Sequence, residues 1–325
     1  MTMPAGAKTK PYVPSISRFA WLPDWLWRFN FYLGRLIFSN MDPLSHQISG
    51  FFALRRVRAE AKLKPLPDVL FSAEDFRRNG YALLPAIYPP DLVETIRQKA
   101  GEALSDPEAR LPRQNTAPDG NQYSWYVKDL ASVVPEVQEL LTDEIIAAVE
   151  NCMRAHIRVA TAKCYRNDAV PEDVFQQKEL HSNHWHFDHH RGAGLIKIFY
   201  LVNDVTEQDG PFCIQPRPRS VFLMRNGFGD RDDYRLPDDV LEDPDHAIRL
   251  TGPAGTAMVC DTTVCMHRAG KVAPGHARDI LQFQLMPSTT PLAADWIKDP
   301  RTTYLSDALL GLADHPTFPA AERRR

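Results

Sequence analysis

Two stretches decide the fold, residues 157–165 (IRVATAKCY) and 195–202 (LIKIFYLV), where β-branched, aromatic and apolar residues run without helical spacing. Shorter runs of the same texture follow at 221–224, 256–259 and 280–285, separated by Gly, Pro, Asn and Asp, and each predicts a strand. Upstream the texture is helical. Val93, Ile96, Ala100, Ala103 and Leu104 recur at helical spacing after Pro89-Pro90, and Ile145, Val149, Cys152 and Met153 do so after Asp143. Ser72 followed by Asp75 starts a helix, Asn79-Gly80 stops it, and 81–84 (YALL) reads as a short strand. Helices first and strands later predict an α+β, mainly β chain, a sandwich or jelly roll rather than a doubly wound sheet. No internal repeat and no GxGxxG motif argues otherwise.

Three regions are expected: an N-terminal arm with an aromatic and basic helical segment (1–66), one large domain (67–300) and a C-terminal tail (301–325). With 38 basic and 41 acidic residues, the net charge of −3 provides no whole-molecule attraction to nucleic acid, so no nucleic-acid partner is expected. The 27 prolines are dispersed rather than gathered into a low-complexity tract, which confines expected disorder to the ends. Five cysteines form no CxxC pair, and their odd number fits a reducing compartment. The N-terminus has no apolar stretch directly behind its charged start, and a cytoplasmic location is the expectation.

The segment 21–38 (WLPDWLWRFNFYLGRLIF) is broken by Pro23, Asp24, Arg28 and Arg35, so it is too interrupted to span a bilayer. Its interleaved aromatics and arginines fit either packing onto the domain or peripheral contact with a membrane face. Residues 54–64 (LRRVRAEAKLK) read as a solvated basic helix. The stretch 226–249, rich in Asp, Arg and Pro, is long for a connection and is a candidate flap as much as a surface excursion.

Five of the eleven histidines fall in 181–190 (HSNHWHFDHH). On a strand, His184, His186, Asp188 and His190 would share one face, with Trp185 and Phe187 on the other, most simply in the core. A His-x-Asp pair can chelate a metal, and a second histidine from a distant strand, best His267, would complete a facial triad with open positions. The spacing alone leaves three readings open: an iron oxygenase, a zinc site, or a histidine patch with no metal. Eleven positions after His267 comes Arg278, whose planar guanidinium suits a carboxylate and would have a role if the co-substrate were a dicarboxylate.

Over residues 71–287 the sequence resembles the phytanoyl-CoA dioxygenase family of Fe(II)- and 2-oxoglutarate-dependent oxygenases. The resemblance runs through SAEDFRRNGYALLPAIYPPDLVETI, then HWHFD, then YLVNDVTEQDGPFCIQP, and closes with His267 and Arg278 in the expected order and offset. It implies a double-stranded β-helix, or cupin-like jelly roll, buttressed by N-terminal helices. It further implies Fe(II) held by His186, Asp188 and His267, and 2-oxoglutarate held through its distal carboxylate by Arg278. The co-substrates would be 2-oxoglutarate and O2, the co-products succinate and CO2, and the substrate a small or lipid-like molecule. Relatives that halogenate have a small residue where this chain has Asp188, so hydroxylation is the expected outcome.

The chain departs from the family pattern where many members carry Pro-Gly-Ser-His; here Pro216-Arg217-Pro218-Arg219-Ser220 replaces it. That divergence concerns the substrate side of the pocket. Lys163 and Tyr165, alternating on one strand, are candidates to contact the co-substrate, against the alternative of an ordinary strand face. Lys197 has the same status, and His184, His189 and His190 fit supporting or substrate-side positions better than a crowded third ligand position. Arg191, Arg217, Arg219 and Arg225 fit a basic rim for an anionic substrate, or simply a solvated surface. Two competing readings remain: a cupin-like metalloenzyme that does not use 2-oxoglutarate, and a non-catalytic scaffold attached to a membrane or partner through 21–38.

Overall fold

The computed structural model describes residues 44–304 except 85, 114–116, 178–181, 189–193, 227–245 and 300–301, together with Leu26, Phe29, Leu33 and Ile37. Helix α1 (Leu44–Ala61) is followed by α2 (Ala73–Asn79). Ser72 caps α2 by accepting from the Asp75 N–H, and Gly80, in the left-handed region at φ 80°, ends it. Strand β1 (Tyr81–Leu84) follows at once, then helix α3 (Pro90–Ser105), whose buried Ile96, Ala100, Ala103 and Leu104 are the stripe expected from the sequence. Strands β2 (Arg110–Pro112) and β3 (Ser124–Val127), the short helix α4 (Leu130–Val133) and helix α5 (Asp143–Met153) complete the N-terminal half.

The C-terminal half supplies β4 (His156–Asp168), helix α6 (Glu172–Gln177), β5 (Ile196–Leu201), β6 (Phe212–Ile214) and helix α7 (Arg217–Arg225). Then come β7 (Ile248–Leu250), β8 (Ala257–Cys260), β9 (His267–Ala269), β10 (Ala277–Ser288) and β11 (Thr303–Tyr304). A large sheet runs in the order β1-β8-β5-β10-β4-β3-β2, antiparallel throughout, with β11 added parallel to β4. A small antiparallel sheet, β7-β6-β9, completes the fold. The chain passes from one sheet to the other between β5 and β6, β7 and β8, β8 and β9, and β9 and β10, which is the double-stranded β-helix, a jelly roll of mainly β structure.

Alternation along the strands divides the large sheet into two faces. One face, with Ala162, Cys164, Ile198, Tyr200, Leu281, Phe283 and Leu285, packs with the helical residues Ile96, Leu104, Ile145 and Val149 in the main core. The other, with Tyr126, Tyr165, Phe199, Leu201 and Ile280, packs against Phe212, Ile214 and Leu250 of the small sheet. Among the described residues helix α1 joins the main core through Val57, while the Arg58 Nε donates to the Met153 carbonyl at 2.8 Å. All five cysteines are free and buried.

One strand expectation is corrected. Residues 221–224 lie in helix α7, not in a strand. Pro216 and Pro218 supply helix-compatible φ values at the start, where a missing N–H is harmless, and the Ser220 N–H donates to the Pro216 carbonyl. Leu223 and Met224 are buried while Phe222 is exposed, so burial does not alternate as it would on a strand. The segment 21–38, apart from four residues, and residues 227–245 of the candidate flap lie outside the described residues, while Ile248 and Arg249 at its end belong to β7.

Gly210 stands at the turn into β6 with φ 64°, and a Cβ there would fall 2.6 Å from the Lys271 carbonyl carbon and 2.7 Å from the Gly270 oxygen. Neither backbone atom can rotate away. Gly210→Ala is therefore expected to lower stability by about 2–4 kcal/mol, the sum of left-handed backbone cost and overpacking. A urea titration followed by circular dichroism checks it; an unchanged midpoint would contradict the packing described.

Candidate metal centre

The histidine-rich segment is fastened to the barrel by backbone. His186 and His267 form an isolated antiparallel bridge, each N–H donating to the other's carbonyl at 3.0 and 2.9 Å, and the Asp188 N–H donates to the Thr262 carbonyl at 2.9 Å. On the far side of the same segment, Trp185 and Phe187 are buried with Cys213, Leu223, Met224 and Met266. The alternation read from the sequence is thus present, although 182–188 forms only this one bridge and no full strand. Ser220, from helix α7, accepts from the Met266 N–H at 2.9 Å and so braces the residue preceding His267.

This fastening brings one ligand atom each from His186, Asp188 and His267 within 4.8 Å of one another. The two imidazole rings are 4.2 Å apart, and the His267 Nε2 is 3.5 Å from the Asp188 Oδ2. Each Nδ1 faces a backbone carbonyl, that of His186 facing His184 O at 2.8 Å and that of His267 facing Cys265 O at 3.1 Å. A carbonyl only accepts, so each Nδ1 carries the proton and each Nε2 keeps its lone pair, the tautomer a metal ligand needs. Two neutral imidazoles and one carboxylate suit a divalent first-row ion.

Asp188 also ion-pairs with Lys197, which projects from the inner face of β5. Burial alone would raise the carboxyl, but the Lys197 ammonium beside it, with the imidazoles adding to its pull when they are protonated, holds it well below the usual carboxylate range. The carboxylate is therefore ionised and ready to ligate.

Arg278, 1% exposed, begins β10 and has no carboxylate partner among the described residues. Its Nη1 donates to the Gly210 carbonyl, and with the Asn167 amide turned so that its oxygen accepts, Nη2 donates to it at 2.6 Å. Its Nε makes no hydrogen bond. Burial first, and the like charge of Arg113, pull the guanidinium below its ordinary range. A buried cation held only by neutral groups is costly, and an anion seated beside it would relieve that cost.

The other residues singled out in the sequence are placed as follows. Lys163 and Tyr165 lie on the inner face of β4, paired in register with Gln282 and Ile280. The Lys163 ammonium is drawn well below its ordinary value by burial and by Arg113 and Lys197, while burial pushes the Tyr165 hydroxyl up. His184 contributes its carbonyl to the His186 ring, and its own side chain is half-buried. Arg217 donates to the Arg77 carbonyl at 2.9 Å, so its contact is with α2 rather than with the three ligands. His189, His190 and Arg191 lie outside the described residues.

Sequence reasoning overlooked Arg113 and Asn167. Asn167 was within reach, because 163, 165 and 167 alternate onto one strand face. Arg113 carried no signal; it follows the three-residue strand β2, and only the fold sets its guanidinium 5.5 Å from the centre of the Tyr165 ring and 5.9 Å from that of Tyr126.

Fold and site together define a class: a double-stranded β-helix holding two imidazoles and one carboxylate where the edge of its small sheet meets β5. Among solved structures, the chain is similar to EctD from S. alaskensis, crystallised with 2-oxoglutarate and 5-hydroxyectoine (18% identity over 69% of this chain and 81% of that one, TM-score 0.47). It is also similar to the non-haem alpha-ketoglutarate-dependent epimerase SnoN of nogalamycin biosynthesis (16% identity, 73% and 83% covered, TM-score 0.45). A third is HygX from Streptomyces hygroscopicus, with nickel, 2-oxoglutarate and hygromycin B bound (15% identity, 67% and 87% covered, TM-score 0.42). No family model matches the sequence, and no curated protein does. Likeness at this level leaves the chemistry to be read from the chain's own residues.

Lys197→Met tests the electrostatics of the centre without touching a ligand. Leaving Asp188 buried with no ammonium beside it should destabilise the metal-free protein by about 2–4 kcal/mol. Added Zn(II) should then raise the melting temperature of the variant more than that of the wild type, since the ion supplies the missing charge. Equal metal-induced shifts in the two proteins would count against the cluster as a binding site.

Proposed function

We propose that the chain is an Fe(II)- and 2-oxoglutarate-dependent oxygenase of the phytanoyl-CoA dioxygenase type, hydroxylating a small or lipid-like molecule with succinate and CO2 as co-products. The observation that carries this reading is the pairing of two features inside one barrel: the His186, Asp188 and His267 cluster, and the buried Arg278 with no carboxylate of its own. A metal site alone would fit many reactions. A metal site with an uncompensated guanidinium deeper in the same barrel fits a co-substrate that chelates at one end and bears a carboxylate at the other.

Bound Fe(II) with 2-oxoglutarate supplies the activation of O2. The chain's own residues do the rest. His186 and His267 present Nε2 because the His184 and Cys265 carbonyls hold their rings, and Asp188 presents an ionised oxygen because the Lys197 ammonium pairs with it. Arg278 receives the distal carboxylate, oriented by Gly210 and Asn167, and Lys163 and Tyr165, on the same inner face of β4 as Asn167, are the side chains assigned to the co-substrate beside it. Phe199 and Phe212 stack with centroids 4.0 Å apart, and the Phe212 ring lies 5.7 Å from that of His267, giving the site an apolar wall on that side. Asp188 itself favours hydroxylation over halogenation, since a carboxylate occupies the position that halogenating relatives leave to a halide.

Anaerobic visible absorption of the purified protein with Fe(II) tests the reading directly. Adding 2-oxoglutarate should produce a metal-to-ligand charge-transfer band that His186→Ala lacks. Bound iron without a band would favour a cupin-like enzyme that does not use 2-oxoglutarate. Arg278→Ala should weaken 2-oxoglutarate about 100-fold, the loss expected of a charge-assisted pair, and leave Fe(II) affinity within about threefold. Equal loss of both would overturn the role given to Arg278.

A further inference from the structure

Arg113 follows β2 on the inner side of the sheet edge. Its N–H donates to the Ser124 carbonyl at 2.9 Å, which continues the β2–β3 ladder, and Leu111, two residues earlier, pairs with the inward-facing Tyr126. Alternation therefore turns Arg113 inward as well, and its guanidinium lies 5.9 Å from the centre of the Tyr126 ring and 5.5 Å from that of Tyr165. Among the described residues one hydrogen bond holds that guanidinium, to the Ser182 Oγ at a long 3.3 Å. The Ser182 carbonyl in turn accepts from the Ala269 N–H, two residues beyond His267. Arg113 thus reaches from the edge of the large sheet to the segment bonded to β9, the strand that carries the third candidate ligand.

Charge around it is unbalanced. Among the described residues, Arg113, Lys163, Lys197 and Arg278 face the barrel interior, and the one ion pair they make is that of Lys197 with Asp188. A divalent ion and a doubly charged 2-oxoglutarate cancel one another, so loading the site leaves this excess of positive charge unchanged. The distal carboxylate answers Arg278. Lys163, which burial, Arg113 and Lys197 hold well below its ordinary value, can shed its proton. A guanidinium cannot, so Arg113 keeps a charge for which the chain supplies no partner among the described residues. Depth separates the two arginines too: Arg278 is 1% exposed and Arg113 half-buried, which leaves Arg113 open to a molecule that enters after the co-substrate. The inner face also holds an unmet neutral donor, the Nε2 of buried Gln282, in register with Lys163 and Phe199.

An arginine in water needs no partner, but this one is flanked by two tyrosine rings and stands close enough to Lys163 and Arg278 to depress both. Cation–π contact near the outer limit of its range offsets little of that repulsion. An oxyanion held through two parallel N–H bonds would offset it directly. Resting on the oxygenase reading above, we propose that Arg113 is the specificity residue for the molecule to be oxidised and takes its anionic group, a carboxylate or a phosphate. The substrate is then an anionic small molecule rather than a neutral one, with the Tyr126 and Tyr165 rings beside the anion.

The full chain, kept anaerobic and loaded with Fe(II) and 2-oxoglutarate, tests this through the charge-transfer band and the melting temperature. Benzoate and phenyl phosphate, added at constant ionic strength, probe the two anions, with benzamide as the neutral control. At least one anion should raise the melting temperature saturably while the band persists, benzamide should not, and the effective anion names the group. Arg113→Gln should weaken that anion at least about tenfold, the loss expected of a charge-assisted pair, and hold 2-oxoglutarate within about threefold by titration of the band. Arg113→Lys, which keeps the charge and loses the planar fork, should recover part of the anion affinity. No band in the wild type would overturn the oxygenase reading and this inference with it. A band with no anion-induced shift, or with a shift that Arg113→Gln retains, would overturn this inference alone. So would loss of the band on adding the anion, which would place the anion at Arg278. A 2-oxoglutarate affinity that falls in Arg113→Gln as it does in Arg278→Ala would assign Arg113 to the co-substrate instead.

Discussion

The site depends on one pair of backbone hydrogen bonds, the reciprocal bridge between His186 and His267. These residues are far apart in sequence, and each comes from a part of the chain with little regular structure of its own: β9 has three residues, and 182–188 is otherwise outside any strand. The bridge sets the two rings 4.2 Å apart and fixes the pleat that turns Asp188 toward β5. Trp185 and Phe187, anchored among Leu223, Met224 and Met266, prevent the segment from slipping by one residue. Such a slip would exchange the ligands for the aromatic anchors, so packing on one side specifies register on the other.

The barrel interior is an electrostatic arrangement as much as a packed one. Lys163, Lys197 and Arg278 point inward from β4, β5 and β10, and Arg113 lies against the Tyr126 and Tyr165 rings, yet Asp188 is the carboxylate that meets any of them in an ion pair among the described residues. Elsewhere the fold pairs its buried charge carefully. Arg166 grips Asp279 through two bonds of 2.7 Å on the opposite face of the same two strands. The contrast is between the two faces: buried charge is paired on the helix-covered face and largely unpaired, among the described residues, on the inner one.

What could be read from the sequence follows from that division. Strands covered on both faces produce continuous apolar runs, and β4, β5, β8 and β10 were legible for that reason. Helices α3 and α5 were legible from their buried stripes. Strands of three residues, β2, β6, β7 and β9, offer no period to detect, and their pairing is set by the turns around them, Gly210 among them. The run at 221–224 misled because hydrophobicity over four residues cannot separate strand from helix; the decisive signal was the proline pair just before it. The candidate metal ligands were visible as an H-x-D followed at a distance by a histidine, whereas Arg113 enters the candidate site only through tertiary structure.

The polar interruptions within the apolar runs therefore carry more information than the runs themselves. Lys163 breaks IRVATAKCY and Lys197 breaks LIKIFYLV, and on composition each looks like a defect in a strand buried on both faces. Burying an ammonium in a sheet interior costs stability unless something compensates it. Lys197 is compensated by a carboxylate that is itself a candidate metal ligand, and Lys163 has no carboxylate partner among the described residues. Arg278, at the entrance to a third such strand, follows the same rule. The inner face of the sheet therefore gives up stability at Lys163 and Arg278, which have no carboxylate partner among the described residues, whereas Lys197 recovers it through Asp188.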